Sequence, residues 1–360
     1  MSAAVLATAS LVAGCGQAHV RVGSAGVSRP NQVVPSSHAD HSAQNAGSSG
    51  TTVDRMFAAD SVWNTPLAND APIDRSSPDL INWLVDQVRQ EFEHGPTPDI
   101  ETVTDSTPIY RVARNEPTVR VALENKTAWG RSLARAFASV PIPPRAQPAA
   151  GSDAHMTIWQ PSTNRMWEFW ELHRTSSGWR AAWGGAMDDV SRSPGYYTAQ
   201  SWPGAEPYWG STATSLPVAA GTMLISELEA GAIDHALAIA LPDTRGGVYA
   251  WPAERTDGTD PDPDSVPEGA RLRLDPNLDI AKLNLPPVVR MMAIAAQRYG
   301  LIVRDKSGEA VAFYAQTPTS GSNPYPQIFG GIAPYDLLKY FPWTHLEVLR
   351  MQLHRGTGSP

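Results

Sequence analysis

The 360-residue chain contains one cysteine, Cys15, and four lysines among its 28 basic residues. With its only thiol near the N-terminus, the folded part has no cysteine left for a Cys–His catalytic pair. No cluster of five or more basic residues occurs, and the formal charge is −8. Phosphate backbones require a basic face, so nucleic acid is excluded as a partner. Beyond the N-terminal apolar run, no segment reaches the 18 or so consecutive apolar residues of a spanning helix. The motifs G-x-x-x-x-G-K-[ST], H-E-x-x-H and G-x-S-x-G are absent too, which removes the phosphate loop, the two-histidine zinc helix and the nucleophile elbow. No cofactor or metal is implied.

Hydrophobic residues make up 42% of the chain, enough for a substantial core. The N-terminal run "AAVLATASLVAGCGQ" ends in Leu11-Val12-Ala13-Gly14-Cys15. It resembles the lipobox of bacterial lipoproteins, in which the cysteine is lipidated and becomes the mature N-terminus. One departure is that no Lys or Arg precedes the apolar run. The alternative is a cleaved secretory peptide. Residues 1–15 therefore read as a lipoprotein-type signal, and the protein as extracytoplasmic, held to a membrane by lipid on Cys15 or secreted. Residues 16–55, rich in Ser, Gly, Ala and Gln, cannot bury enough apolar surface to fold and read as a disordered tether.

Residues 56–355 read as a single domain. "SSPDLINWLVDQVRQEFE" predicts a helix, with Ser77 as cap, Pro78 in its first turn and an apolar stripe of Leu80, Trp83, Leu84 and Val88. "LISELEAG" and "PPVVRMMAIAAQRYG" predict helices stopped by Gly231 and Gly300, and "APYDLLKYF" predicts another. Short strands outnumber the helices: "TPIYRVARNEPTVRVAL", the region 155–190, "AIDHALAIALP", "GGVYAWPAE", "ARLRLD" and "HLEVLRM". "LIVRDKSGEAVAFYAQ" reads as a hairpin about Lys306-Ser307-Gly308. The predicted fold is mainly β, a jelly-roll-like β-sandwich decorated with about three helices.

The stretch "HMTIWQPSTNRMWEFWEL" carries a carboxylate between large apolar side chains. If "PSTN" closes a hairpin with Gln160 opposite Arg165, then Thr157 faces Glu168 and His155 faces Trp170. The next turn, "TSSG", pairs Arg174 with Trp179, Glu168 with Gly185 and Trp170 with Trp183. Opposed residues share a sheet face, so His155, Glu168, Trp170 and Trp183 gather on one face. In an apolar setting Glu168 would titrate high and suit acid–base chemistry, beside aromatics on which a sugar ring can stack. On a solvated face it would be decorative. Asp189 ends the third strand and opens a long loop that carries Tyr197 and Trp209, and loops of that length are commonly functional. His235 lies on the bulky parity of its strand and is either a satisfied core histidine or a partner of Glu168. Asp257, Asp260, Asp262 and Asp264 mimic a calcium loop but lack the Gly and Glu positions of an EF-hand.

The blocks "MWEFWEL", "IDHALAIALP", "YAWPAE", "EGARLRLD" and "RYGLIVRD" resemble, in order, those of an uncharacterised family of secreted bacterial proteins with "HAL", "VWPA" and "GARFRL" motifs. The resemblance spans about residues 57–350 and implies one unit. It carries no catalytic assignment. Three functions follow from the residues. The first is a surface-anchored carbohydrate-active enzyme, a glycoside hydrolase or polysaccharide lyase. Its catalytic set would be Glu168 with Asp189 or His235, and substrate would be held by His155, Trp170, Trp183, Tyr197 and Trp209. A lyase would neutralise its uronate with Arg271 or Arg273. The second is a non-catalytic lipoprotein, binding polysaccharide or cell-envelope glycan as a monomer. The third is a structural envelope protein.

Overall fold

The protein is described by a computed structural model over residues 55–127 and 130–356. Cys15, the signal segment and all of the tether but Arg55 fall outside the described residues. Residues Thr51–Pro360 form one unit. Its first half runs through α1 (Ser77–His94), β1 (Asp99–Glu101), β2 (Ile109–Arg111), β3 (Val121–Leu123), α2 (Gly130–Ala136), β4 (Met156–Gln160), β5 (Arg165–Trp170), β6 (His173–Thr175), β7 (Gly178–Ala181) and β8 (Trp183–Asp188). The second half runs through α3 (Ile225–Ala230), β9 (Leu237–Leu241), β10 (Val248–Ala250), β11 (Arg271–Leu274), α4 (Pro287–Arg298), β12 (Leu301–Lys306), β13 (Ala312–Tyr314), α5 (Tyr325–Ile328), α6 (Pro334–Leu337), β14 (Leu346–Val348) and β15 (Leu353–Arg355). The fold is mainly β, with fifteen strands and six α-helices among the described residues, more helices than the three or so read from the sequence.

The strands form a mixed six-stranded sheet ordered β1-β13-β9-β12-β11-β14, a four-stranded sheet β2-β4-β5-β8, a three-stranded sheet β3-β7-β6 and the ribbon β10-β15. The expected register holds: Thr157 pairs with Glu168 and Trp159 with Met166, and Glu168 pairs with Gly185 and Trp170 with Trp183. Arg174 pairs with Trp179 across the second turn. What differs is continuity. Glu171 sits at φ +50°, a value that no regular strand tolerates, and the chain leaves one sheet and enters the next there.

The 301–316 hairpin is a correction. β12 runs parallel to β9 and β13 antiparallel to it, so β9 lies between the two strands that a tight turn would have paired. The helix at 77–94 forms as the stripe predicts, with Leu80, Leu84 and Val88 buried. Ser77, however, is inside the helix, and its hydroxyl accepts the Val348 N–H at 2.8 Å instead of capping.

β9 explains how two layers share the six-stranded sheet. Its alternation puts Leu237, Ile239 and Leu241 in a cluster with Leu80 and Leu84 of α1 and Val289 and Met292 of α4. Ala236, Ala238 and Ala240 join the opposite cluster, with Met156, Ile158 and Phe169 of the four-stranded sheet. Burying each large aliphatic side chain contributes about 1.5–3 kcal/mol. The small residues on the second face let the segment before β9 approach: the Ala238 N–H donates to Gly221 O at 2.9 Å. A Cβ on Gly221 would stand 2.4 Å from the Trp63 ring.

Candidate functional site

Glu168 is fully buried. Its Oε1 accepts the Ser211 N–H and its Oε2 the Val218 N–H, each at 2.9 Å. Burial raises its pKa, the hydrogen bonds from Ser211 and Val218 and nearby His155 oppose this, and the net shift is upward. The space beside Gly185, opposite Glu168, is filled: a Cβ there would lie 2.2 Å from the Tyr197 hydroxyl. Around Glu168 the aromatic face is thus covered, and the carboxylate is not exposed. Segment 210–218 covers it, and Glu168 is the strut that holds that segment.

The start of the covering segment also lines a cavity. About 440 Å³ in volume, this cavity is lined by Trp170 and Trp183, Gly210 to Ala213, and the charged residues Glu124, Asp153, Arg255, Asp257, Asp305 and Lys306. The two tryptophans are cross-strand partners, and the Trp183 indole N–H is fixed on Tyr208 O at 2.8 Å.

Two carboxylates in this cavity lie in opposite environments. Asp153, in the loop before β4, receives the Trp170 indole N–H at 3.0 Å and stands 3.5 Å from Nε2 of buried His155. The other ring nitrogen of His155 faces Phe169 O at 3.2 Å, which fixes the ring. His155 is the main cause that holds the Asp153 carboxyl below the usual carboxylate range, against the effect of burial, with Trp170 adding to it. Asp305 is pushed up to about 7, chiefly by burial and further by the charges of Asp257 and Asp153, with Arg304 opposing. Its Oδ1 accepts the Ala213 N–H at 3.2 Å.

A β-bulge delivers Asp305. β12 pairs regularly with β9 up to Val303–Ile239 and then skips a residue, so Asp305 pairs with Ala240. Alternation alone would turn Asp305 toward the helix side; the extra residue re-aims it. Arg304 and Asp305 therefore both serve the face of Ala240. Arg304 is buried, donates to Ala220 O at 2.9 Å and lies 4.1 Å above the Tyr314 ring.

The other residues singled out from the sequence go elsewhere. His235 lines a different cavity of about 480 Å³ with Arg55, Trp63, Glu227 and Asp234. Its Nε2 is 3.1 Å from Glu227 Oε2 and its Nδ1 2.8 Å from Ala236 O. Burial lowers its pKa, but Glu227 and Ala236 outweigh this and the net shift is upward. Asp189 accepts from Asn164 at 2.7 Å and pairs with Arg192, next to Asp188, which is opposite Arg165 at the far end of the β5–β8 ladder from Trp170. The grouping of Glu168, His235 and Asp189 is therefore corrected: three elements hold them in three surroundings. Tyr197 and Trp209 are buried. Arg271 donates to Tyr299 O at 3.1 Å, and burial lowers its pKa to about 10.

His155, Trp170 and Trp183 do meet. Sequence reasoning missed Asp153, Asp305 and Arg255. Asp153 lies two residues before His155, close enough to the first hairpin to be found there; Asp305 depends on a bulge that no periodicity announces. No group of three or more His, Cys, Asp or Glu side chains among the described residues could hold a metal ion, and no helix among them is long and apolar enough to cross a membrane.

No family model, curated protein or solved structure matches the chain.

Proposed function

We propose that this protein is a glycoside hydrolase whose acid is Asp305 and whose base or nucleophile is Asp153. The observation that carries the reading is that both carboxylates line one cavity with Trp170 and Trp183, in environments that drive their proton affinities apart. Glycosidic cleavage uses such a pair. Asp305 gives its proton to the glycosidic oxygen as the C–O bond breaks. Asp153, ionised, attacks the anomeric carbon or takes the proton of the attacking water, and product stereochemistry distinguishes the two. Trp170 offers its ring to a sugar C–H face. His155 positions Asp153.

The lyase alternative is weaker. Arg271 and Arg273 are engaged elsewhere, Arg273 with Glu347 at 3.0 Å and Ala68 O at 2.9 Å. Within the cavity, Glu124, Asp153, Asp257 and Asp305 face only Arg255 and Lys306, which disfavours a uronate and suits a neutral or amino sugar. The two larger sheets, sharing one core cluster, support a decorated sandwich. The Cys15 motif supports lipid anchoring outside the cytoplasm.

A panel of neutral and amino-sugar polysaccharides scored for new reducing ends tests the reading. Asp305→Asn and Asp153→Asn should each lower kcat by about 10²-fold or more. Hydrolysis that survives both substitutions removes the assignment. Binding without hydrolysis in the wild type would leave the non-catalytic lipoprotein.

A further inference from the structure

A third concavity, about 400 Å³ in volume, is lined by Tyr208, Tyr249, Trp251, Glu254 and His354 among others. It differs from the cavity above in being an aromatic groove with an exposed rim. Trp251 is 44% exposed, unusual for the largest apolar side chain in a chain that buries most of its other tryptophans. The Trp251 ring is braced edge-on by Tyr196 at 5.8 Å, and Tyr249 stacks on His354 at 5.4 Å and 22°. The β10–β15 ribbon fixes this pair by setting Tyr249 opposite His354, and the Trp251 N–H donates to Gln352 O at 3.0 Å.

The groove and the Asp153–Asp305 cavity share their walls. Tyr208 lines the groove, while Gly210 to Ala213, just downstream, line the cavity. Glu254 lines the groove and the next residue, Arg255, the cavity. Tyr208 is the joint: its N–H donates to Glu254 Oε2 at 3.3 Å and its carbonyl accepts from Trp183. It sits at φ +68°, a strained setting for a tyrosine, held by the contacts on both sides. A second pair of bonds ties the strips together: the Glu254 N–H to Thr214 O at 3.0 Å, and Arg255 Nη2 to Thr212 O at 2.9 Å.

We propose that this groove is a glycan-chain subsite, in which Trp251 and Tyr249 hold sugar units of the same neutral or amino-sugar polymer whose scissile bond occupies the cavity. The proposal rests on the glycosidase reading for the identity of the polymer. Chemistry favours a sugar over an apolar peptide. The aromatic side chains share one lining with hydrogen-bonding groups (Thr198, Glu206, Glu254 and His354), and a pyranose presents apolar C–H faces and polar edges together.

Affinity electrophoresis with Asp305→Asn protein, which should not degrade the gel polymer, tests it. The probes are glycol chitin, hydroxyethyl cellulose, glycogen and galactomannan, each cast in the gel. At least one should retard the protein, and Trp251→Ala should weaken that retardation about tenfold in dissociation constant. Tyr249→Ala is the second variant, and circular dichroism verifies that both fold. Retardation unchanged in both variants overturns the groove, as does no retardation by any probe. The hydrolysis assay with Asp153→Asn and Asp305→Asn reports on the cavity separately: hydrolysis without groove-dependent retardation fails the subsite alone. Groove-dependent retardation without hydrolysis fails the glycosidase reading and keeps the groove as a glycan-binding site.

Discussion

Glu168 accepts one backbone N–H on each oxygen, and only a carboxylate can do both. In Glu168→Gln one of the two amides would face an NH₂ donor. The loss should be about 1–3 kcal/mol, read as a lower melting temperature, with activity falling only as far as the 210–218 segment loosens. A variant as stable as the wild type but with no activity would return Glu168 to the chemistry. The catalytic pair makes a separate residue-scale prediction. Asp305 must carry its proton, and burial pushes its pKa up to about 7 in the free protein, so kcat/KM should fall as pH rises through about 7. Asp153 must be ionised, and it is held below the usual range, so the acidic limb should lie below that of an ordinary carboxylate. A basic limb well above 7, or one that survives Asp305→Asn, would remove Asp305 as the acid.

At the scale of elements, α1 places a carboxylate inside the core. Glu91 Oε2 accepts the Val311 N–H at 2.9 Å. Burial raises its pKa from 4.5 to about 7, with Val311 lowering it and Asp243 raising it. In the folded state the neutral acid is favoured, so folding binds a proton between those two values. Stability is full below 4.5, falls as pH rises and levels off above about 7. Glu91→Gln keeps an acceptor for Val311 and does not titrate. Its unfolding free energy from urea titration should gain on that of the wild type by about 1–3 kcal/mol between pH 4.5 and pH 8. A constant difference across that range would mean Glu91 is ionised in the fold. The same element scale separates what could be read from the chain from what could not. Local turn chemistry at "PSTN" and "TSSG" determined two strand registers and the neighbours Thr157, Trp170, Trp183 and Gly185, because hairpins are closed by adjacent residues. The pairing of β9 between β12 and β13 depends on a contact more than sixty residues away, which no turn encodes. Asp305 was hidden for a related reason: one bulged residue inverts the parity on which strand faces are assigned. Glu168 was placed on an aromatic face, but what covers that face was not legible, since the covering segment lies some forty residues downstream.

At the scale of the whole unit, one sheet serves two cores. β9 gives Leu237, Ile239 and Leu241 to the cluster under α1 and α4, and Ala236, Ala238 and Ala240 to the cluster over the four-stranded sheet. Neither cluster can lose its packing while the shared sheet stays dry on both faces. Unfolding should therefore be a single transition. The probes divide usefully: Trp159, Trp167, Trp179 and Trp183 lie in the second cluster, against Trp343 and Trp83 on the first, so fluorescence reports mainly the second side, whereas far-ultraviolet dichroism also follows α1 and α4. Ile158→Ala removes a fully buried side chain from the second cluster and Leu237→Ala one from the first. Each should cost about 2–5 kcal/mol, and each should shift the fluorescence and dichroism midpoints together. If Leu237→Ala moved the dichroism curve and left the tryptophan curve in place, the two cores would be independent. The bulge in β12 and the joint at Tyr208 would then be supported from one side only, and the Asp153–Asp305 cavity, which draws Asp305 from the six-stranded sheet and its tryptophans from the other, would open before the rest of the molecule unfolds.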